Sequence, residues 1–476
     1  MIHASGGRSA APASAALVRL EPFDELAGVR PIDAAEALRD LPGLALLETA
    51  RPGRRARWTY LTADPLAVLE APAPGGDPFA DARRLVGRLE PAQAEAGDAD
   101  APPFLGGLVG YLAYDLGHAL ERLPSIAPDD QGLPLLRLAL HDWVLAWDRR
   151  TGLAWIGGRA LDGDAARLDR RLVGMRARLV EPSFPAAGDA TGPTAPTTFT
   201  SSLDRDAYMA GVEAVRAFIA RGDIYQANLT RRLQAPFAGD PWPLYRRLRT
   251  GDPSLYAAYV DLGGRRAILS ASPEPFIAVD RAGHVTTDPI KGTRPRGRTG
   301  EEDRALACEL LASEKDRAEN VMIVDVLRND LGRVCSPGTV RVPRLCRLER
   351  TAAVQHLVST VTGRLAPGRD AFDLLAASFP GGSITGAPKL RAMELLEELE
   401  PVRRGPYTGC LGWIGPDGAM ASSILIRTFV ADGRHLSLHV GGGITNRSDP
   451  ADEWEETVAK ARGPLSAIGG REVEAG

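Results

Sequence analysis

Residues 409–430 read GCLGWIGPDGAMASSILIRTFV. Two apolar runs flank Pro416-Asp417-Gly418, a turn signal that predicts a hairpin of strands 409–415 and 420–430. Strand-like runs recur on both sides: 45–49, the alternating 135–147, 267–279, 285–292, 354–362 and a run ending in Gly441-Gly442-Gly443. Helical stretches lie between them. Ser201-Ser202-Leu203-Asp204 is capping material before Tyr208, Val212, Val215, Phe218 and Ile219, which share one face closed by Gly222. Gly300-Glu301-Glu302 opens a second helical region, and a helix over 313–332 places Met322, Val326 and Leu327 on one side. Gly386-Ala387-Pro388 opens another, with Pro388 in its first turn, running to about Leu399, and 452–468 forms the last. Without regular βαβ alternation, this mixture predicts an α+β fold.

The chain is long enough for a large core: 476 residues, 44% of them apolar. Its 57 basic and 61 acidic side chains leave a net charge of −4, so no basic field exists to hold nucleic acid or an anionic membrane. No apolar run reaches the ~20 residues of a membrane span. Residues 1–16 lack a signal-peptide pattern and read as a disordered, cytoplasmic start. A Pro/Gly/Thr-rich stretch at 181–200 predicts a linker between a first part, 17–180, and a second, 201–470. Cys308, Cys335, Cys346 and Cys410 show no CxxC spacing, which excludes a zinc ribbon. Only four of the basic residues are lysines, Lys291, Lys315, Lys389 and Lys460, so arginine is the default cation and each lysine is an exception.

Several constellations suit chemistry. In PGGSITGAPK (380–389) a Gly-rich turn feeds a helix, with Ser383, Thr385 and Lys389 crowded in, which suits a carboxylate site. Ala387 stands where a P-loop needs lysine, so an NTPase is excluded. Lys291, in DPIKGTRPR (288–296), sits at a strand end between Ile290 and Gly292. Partial desolvation would lower its pKa and make it a nucleophile; the plain alternative is a solvated cation. Glu319 and Glu456 lie on separate helices and would suit Mg²⁺ if they converged, though helix glutamates are usually just solvated. Glu274 is fixed between two prolines, an arrangement suited to a general acid. His356 shares a strand face with Val354 and Val358 and by residue type alone reads as a core histidine. Arg427 shares a strand face with Leu425 and Phe429, and a buried arginine there would need a carboxylate.

Together, SPEPF (272–276), DPIKGTRPRG (288–297), KDRAENVMIVDVLRNDLGRVC (315–335), VQHLVSTV (354–361), FPGGSITGAPKLRAME (379–394), SSILIRT (422–428), GGGI (441–444) and EWEET (453–457) resemble the chorismate-utilising enzyme family, nearest its aminodeoxychorismate synthase component I branch. LLETARPGR (46–54) and FLGGLVGYLAYDLG (104–117) match more loosely. The resemblance implies a two-sheet β-sandwich with surrounding helices and both parts of the chain intertwined. It implies that Glu319 and Glu456 hold Mg²⁺ against the ring carboxylate of chorismate, with Ser383 nearby. Arg427, Tyr407 and the amides of Gly441, Gly442 and Gly443 would take the enolpyruvyl carboxylate, with Lys460 in the same binding set. Glu274 and His356 would be the acid–base groups at the C4 hydroxyl.

Two positions separate the branches. Isochorismate and salicylate synthases carry lysine in place of Gln226, where it activates water; this chain resembles the enzymes that do not add water. Anthranilate synthases carry alanine in the PIxGT motif where this chain has Lys291, which implies attack by lysine at C2 and amination at C4. The implied product is 4-amino-4-deoxychorismate, on the way to p-aminobenzoate and folate. Ammonia requires a partner glutamine amidotransferase, since Thr408-Gly-Cys-Leu-Gly412 lacks the first glycine of a Gly-x-Cys-x-Gly nucleophile elbow. Anthranilate synthase component I is the alternative within the family, and a non-catalytic chorismate-binding relative the alternative outside catalysis. Thr49 replaces the serine of the LLES regulatory motif of anthranilate synthases, so tryptophan binding there is not implied.

Overall fold

The computed structural model describes residues 17–50, 57–73, 76–91, 101–180, 198–351 and 354–473. The reading of 1–16 as disordered and most of the 181–200 linker lie outside these residues. The linker's last three residues belong instead to the strand Thr198–Ser201, because Phe199 is fully buried and anchors them.

The described strands form a thirteen-stranded and a ten-stranded sheet. Period-two alternation decides how they pack. In Trp143–Asp148, Val144 and Ala146 face one core while Trp143, Leu145 and Trp147 face another. In Cys410–Ile414, Leu411 and Trp413 join the first of these cores, and Cys410 and Ile414 turn away. The shared core therefore lies between the sheets. Tyr60 of one sheet meets Trp413 of the other edge-on at 6.0 Å, a pair contributing about 0.5–1.5 kcal/mol beyond its buried area. Helices Pro31–Glu36, Ala165–Val180, Trp242–Gly251 and Pro450–Ile468 cover the outer face of the larger sheet. Ala80–Val86, Glu314–Gly332 and Ala371–Ser378 cover that of the smaller, while Lys389–Leu399 packs through Ala392, Leu395 and Leu396 against Ala227 and Leu229 of the larger sheet and reaches the smaller sheet's outer core with Met393. The α+β sandwich with surrounding helices is as expected.

Both parts of the chain enter both sheets. Ala45–Glu48 pairs with Tyr256–Gly263, and Gly107–Leu112 pairs with Cys410–Ile414. Three runs that read as single strands are instead split by crossings between sheets. The 135–147 run breaks at Asp142, 267–279 breaks at Pro273-Glu274, and 420–430 breaks at Leu425–Arg427. Each crossing is a sandwich corner, where a bend lets one strand serve two sheets. The hairpin itself forms, between Cys410–Ile414 and Met420–Ile424.

The helix caps follow the sequence closely. The Asp204 side chain accepts from Ala207 N at 2.8 Å and starts Arg205–Ala220. Ser313 and Asp449 cap the two helices that carry Glu319 and Glu456. Pro388 is the N-cap of Lys389–Leu399 rather than a residue of its first turn.

Candidate active site

Two of the sandwich corners meet at one seam. Ile424 N donates to Glu274 O, and Ala271 N to Arg427 O, both at 3.1 Å. Glu274, clamped by Pro273 and Pro275, is buried there beside Ser383 and Ile290. Burial raises its pKa above the ordinary glutamate value, opposed by the nearby charge of Lys291.

Lys291 stands on Ile290–Pro295, paired with Val354–Arg364. The register runs Lys291↔Leu357 and then Thr293↔His356, so Gly292 is an extra residue in a bulge. Its φ of +74° suits glycine, and a Cβ there would lie 2.9 Å from the Asp316 Cβ. The bulge aims half-buried Lys291 so that Nζ donates to the Ser383 carbonyl at 3.2 Å. A Cβ on Gly443 would fall 2.5 Å from Gln226 Nε2 and 4.0 Å from Lys291 Nζ, so glycine keeps that approach open. Gln226 is buried, with Oε1 lacking a hydrogen-bond partner among the described residues. Lys291, Glu274, Ser383, Gln226 and Gly443 thus converge. His356 stands beside the bulge with Nδ1 2.9 Å from Thr293 Oγ1.

The helix carrying Glu319 is fixed in rotation by Asn320, whose amide donates to Leu357 O at 3.3 Å. Glu319 Oε1 is buried without a hydrogen-bond partner among the described residues. Burial raises the Glu319 pKa; Lys291 and Lys315 oppose this, while Asp316 and Glu456 reinforce it. Burial also pushes Glu456 up, but Lys460, 2.6 Å away, leaves it below the ordinary value. Sequence reading missed Glu453, three residues before Glu456 on the same helix face, which was the available signal. It is buried, accepts from Ser448 Oγ at 2.6 Å, and is raised chiefly by burial. Glycine at 442 makes room for it, since a Cβ there would lie 2.7 Å from Glu453 Oε2.

These all-oxygen donors, one with an orphaned buried atom, fit a hard cation that also takes substrate and water ligands. Among the described residues no group of three or more acids, histidines or cysteines is gathered to hold a metal alone.

The glycine strand His435–Ile444 pairs with Gln226–Pro236 through Ile444, but with Thr428–Asp432 only over Leu436–Leu438. Past Leu438, no described strand pairs with that second edge. Lys460 Nζ donates to Gly441 O at 2.8 Å. Extending the Phe429↔Leu438 register by two residues sets Arg427 opposite Val440, at this free edge. Arg427 is neither buried nor on a strand. It is 46% exposed, 3.6 Å from Asp252, with φ +49° at the corner. Leu425 and Phe429 face different cores, so the predicted common face does not exist. Tyr407 is buried and stacks on His439 at 4.9 Å.

The expectation for Lys389 and Thr385 fails. Lys389 Nζ is spent on Asp330 at 2.8 Å and Ser378 O at 2.9 Å, and Thr385 Oγ1 on Gly381 O at 3.0 Å. Cys410 is a buried strand residue whose thiol burial pushes up to about 12, far from a nucleophile. Apart from the seam, a cavity of about 210 Å³ lies between the sheets, lined by Leu47, Thr49, Arg57, Tyr60, Ala258 and Trp413.

The sandwich and the seam define a chorismate-utilising enzyme: residues 50–466 match the chorismate binding enzyme family, and the chain belongs to it. It is 45% identical over 369 residues to anthranilate synthase component 1 of Thermus thermophilus, covering 78% of this chain and 79% of that protein. It is 43% identical over 358 residues to aminodeoxychorismate synthase component 1 of Klebsiella aerogenes, covering 75% and 76%. The crystal structure of anthranilate synthase component I from Streptococcus pneumoniae superposes with a TM-score of 0.76 at 30% identity, over 88% of this chain and 93% of that one. No described helix is long and apolar enough to cross a membrane.

Proposed function

We propose that the protein aminates chorismate at C4 to give 4-amino-4-deoxychorismate, using ammonia from a separate glutamine amidotransferase. The observation that carries this reading is Lys291, a primary amine aimed by a glycine bulge beside a buried carboxyl and the Ser383 carbonyl. In its uncharged form it forms a bond to C2. The ring electrons shift, the C4–O bond breaks, and the Glu274 proton leaves with the hydroxyl as water. The proton lost by the alkylated amine restores Glu274. Ammonia then bonds to C4, the electrons shift back, the C2–N bond breaks, and the ammonium proton returns to the departing lysine. The net change is chorismate plus ammonia to aminodeoxychorismate plus water. His356, fixed by Thr293, is the second acid–base group in this reading. Ser383 faces the ring carboxylate, while Arg427, Tyr407, Lys460 and the free edge at Gly441–Gly443 receive the enolpyruvyl carboxylate. Glu319 and Glu456, with Glu453 beside them, would hold Mg²⁺, which supplies positive charge opposite the ring carboxylate when bound.

The relatives carry both enzyme names at nearly equal identity, so anthranilate formation is the second reading. Purified protein given chorismate, Mg²⁺ and ammonium should yield aminodeoxychorismate by mass; anthranilate as the main product sinks the proposal. With glutamine in place of ammonium, turnover should require an added amidotransferase.

Glu274 also sets a pH expectation. Its protonated form is the acid, so turnover at fixed free ammonia should fall as pH rises through its raised pKa. Glu274→Gln should lose about 10²–10⁴-fold and flatten that limb. An unchanged profile in the variant would show that another group titrates.

A further inference from the structure

Arg404 is a fully buried guanidinium between the helix Lys389–Leu399 and the strand Cys410–Ile414. All five of its N–H donors are engaged. Nε donates to Glu400 Oε2 at 2.8 Å; Nη1 to Ile384 O at 3.0 Å and Thr408 Oγ1 at 3.3 Å; Nη2 to Glu400 Oε1 at 2.7 Å and Asn228 O at 2.6 Å. Its plane lies over the Tyr114 ring at 4.4 Å. Glu400 Oε1 extends the network to Thr230, accepting from N at 3.0 Å and Oγ1 at 2.8 Å.

The acceptors belong to three separate segments of the site. Ile384 is next to Ser383 in its short turn, Asn228 is two residues from Gln226 on its strand, and Thr408 follows Tyr407 at a corner where its φ is +59°. The Ile384 carbonyl belongs to neither a sheet ladder nor a regular α-helix, so Arg404 gives it a partner it would otherwise lack. Asn228 N in turn donates to Thr385 O at 2.8 Å, closing the loop between strand and turn.

We propose that Arg404 is a positioning residue that sets Ser383, Gln226 and Tyr407 at fixed mutual geometry for turnover of chorismate. This rests on reading the Lys291 seam as the chorismate site. None of the Arg404 hydrogen bonds goes to Lys291, Glu274, Glu319, Glu453 or Glu456, so it acts through the segments it joins. A lysine has three donors and no planar fork, so it retains the charge beside Glu400 but not the three-way tie.

The test is Arg404→Lys beside Arg159→Lys. Arg159 is an equally buried arginine, paired with Asp417 at 2.7 Å and distant from the seam in sequence and sheet position. Both variants are assayed where circular dichroism shows them fully folded. Arg404→Lys should lose on the order of 10²-fold in kcat/KM for chorismate, as expected for ångström-scale misplacement, while Arg159→Lys stays within about twofold. Turnover by Arg404→Lys within twofold of the parent, or equal losses in both variants, overturns the role. If Arg404→Lys does not fold, Thr408→Val removes one acceptor at constant shape; a several-fold loss in kcat/KM supports the role and no change overturns it. The parent's own turnover of chorismate tests the underlying reading separately, and a parent without it overturns both.

Discussion

Lys291→Ala is expected to lower aminodeoxychorismate formation by on the order of 10³-fold or more, a barrier increase of about 4 kcal/mol, while the fold survives. The expected stability cost is small because the side chain is only half-buried and its one described hydrogen bond, to Ser383 O, is worth about 1 kcal/mol. The catalytic cost is large because no other described primary amine is placed to attack. Lys315 and Lys460 are engaged near the acidic residues, and Lys389 is buried on Asp330. Removing the ammonium also removes a charge that holds down both Glu274 and Glu319, so alanine alone does not separate nucleophile from electrostatics. Lys291→Arg separates them. It keeps the positive charge but does not give up a proton at ordinary pH, so it should be as inactive as alanine while restoring the pH behaviour of Glu274. Product is measured by mass after incubation with chorismate, Mg²⁺ and ammonium. Arginine turnover within tenfold of the parent would refute covalent catalysis by Lys291 and leave it a role as a charge.

How much was legible depended on whether a signal is local. The Pro416-Asp417-Gly418 turn, the Asp204 cap and the long helices are encoded within a few residues, and they form close to where expected. Sheet membership is not encoded that way. Along 420–430 the apolar pattern continues through the corner at Leu425–Arg427, because in a sandwich covered by helices both faces of each sheet are buried. The one strand became two, and Arg427 left the interior for a corner. At the site, Lys291 stood out as one of four lysines and Glu274 as a carboxylate between two prolines, whereas Glu319 and Glu456, on helices where glutamates are ordinary, were marked only by the family resemblance. The gap between Gln226 and Gly443 could not, since it depends on strands paired across a long stretch of chain. Arg404 was hidden for another reason. In a sequence with 53 arginines, one more draws no notice until its five donors are traced.

Lys389→Met is expected to cost about 3–5 kcal/mol of stability while leaving KM for chorismate within about twofold. The PGGSITGAPK motif suggests a carboxylate site that includes this lysine, but its ammonium is committed to Asp330 Oδ2 and the Ser378 carbonyl. Burial lowers the pKa of Lys389 and raises that of Asp330, so each is held in its charged form against desolvation by the other. Such a pair adds little net stability, yet removing one member strands the other as a buried charge, which is where the large cost arises. Arg333 also reaches Asp330, at 3.3 Å, but its side chain is half in solvent and compensates weakly. The double variant Lys389→Met with Asp330→Leu should therefore recover much of the loss, because no charge remains to be stranded. Thermal or urea unfolding measures the stability term, and steady-state kinetics well below the melting temperature measures binding. A single variant that melts like the parent but raises KM tenfold would return Lys389 to the binding set.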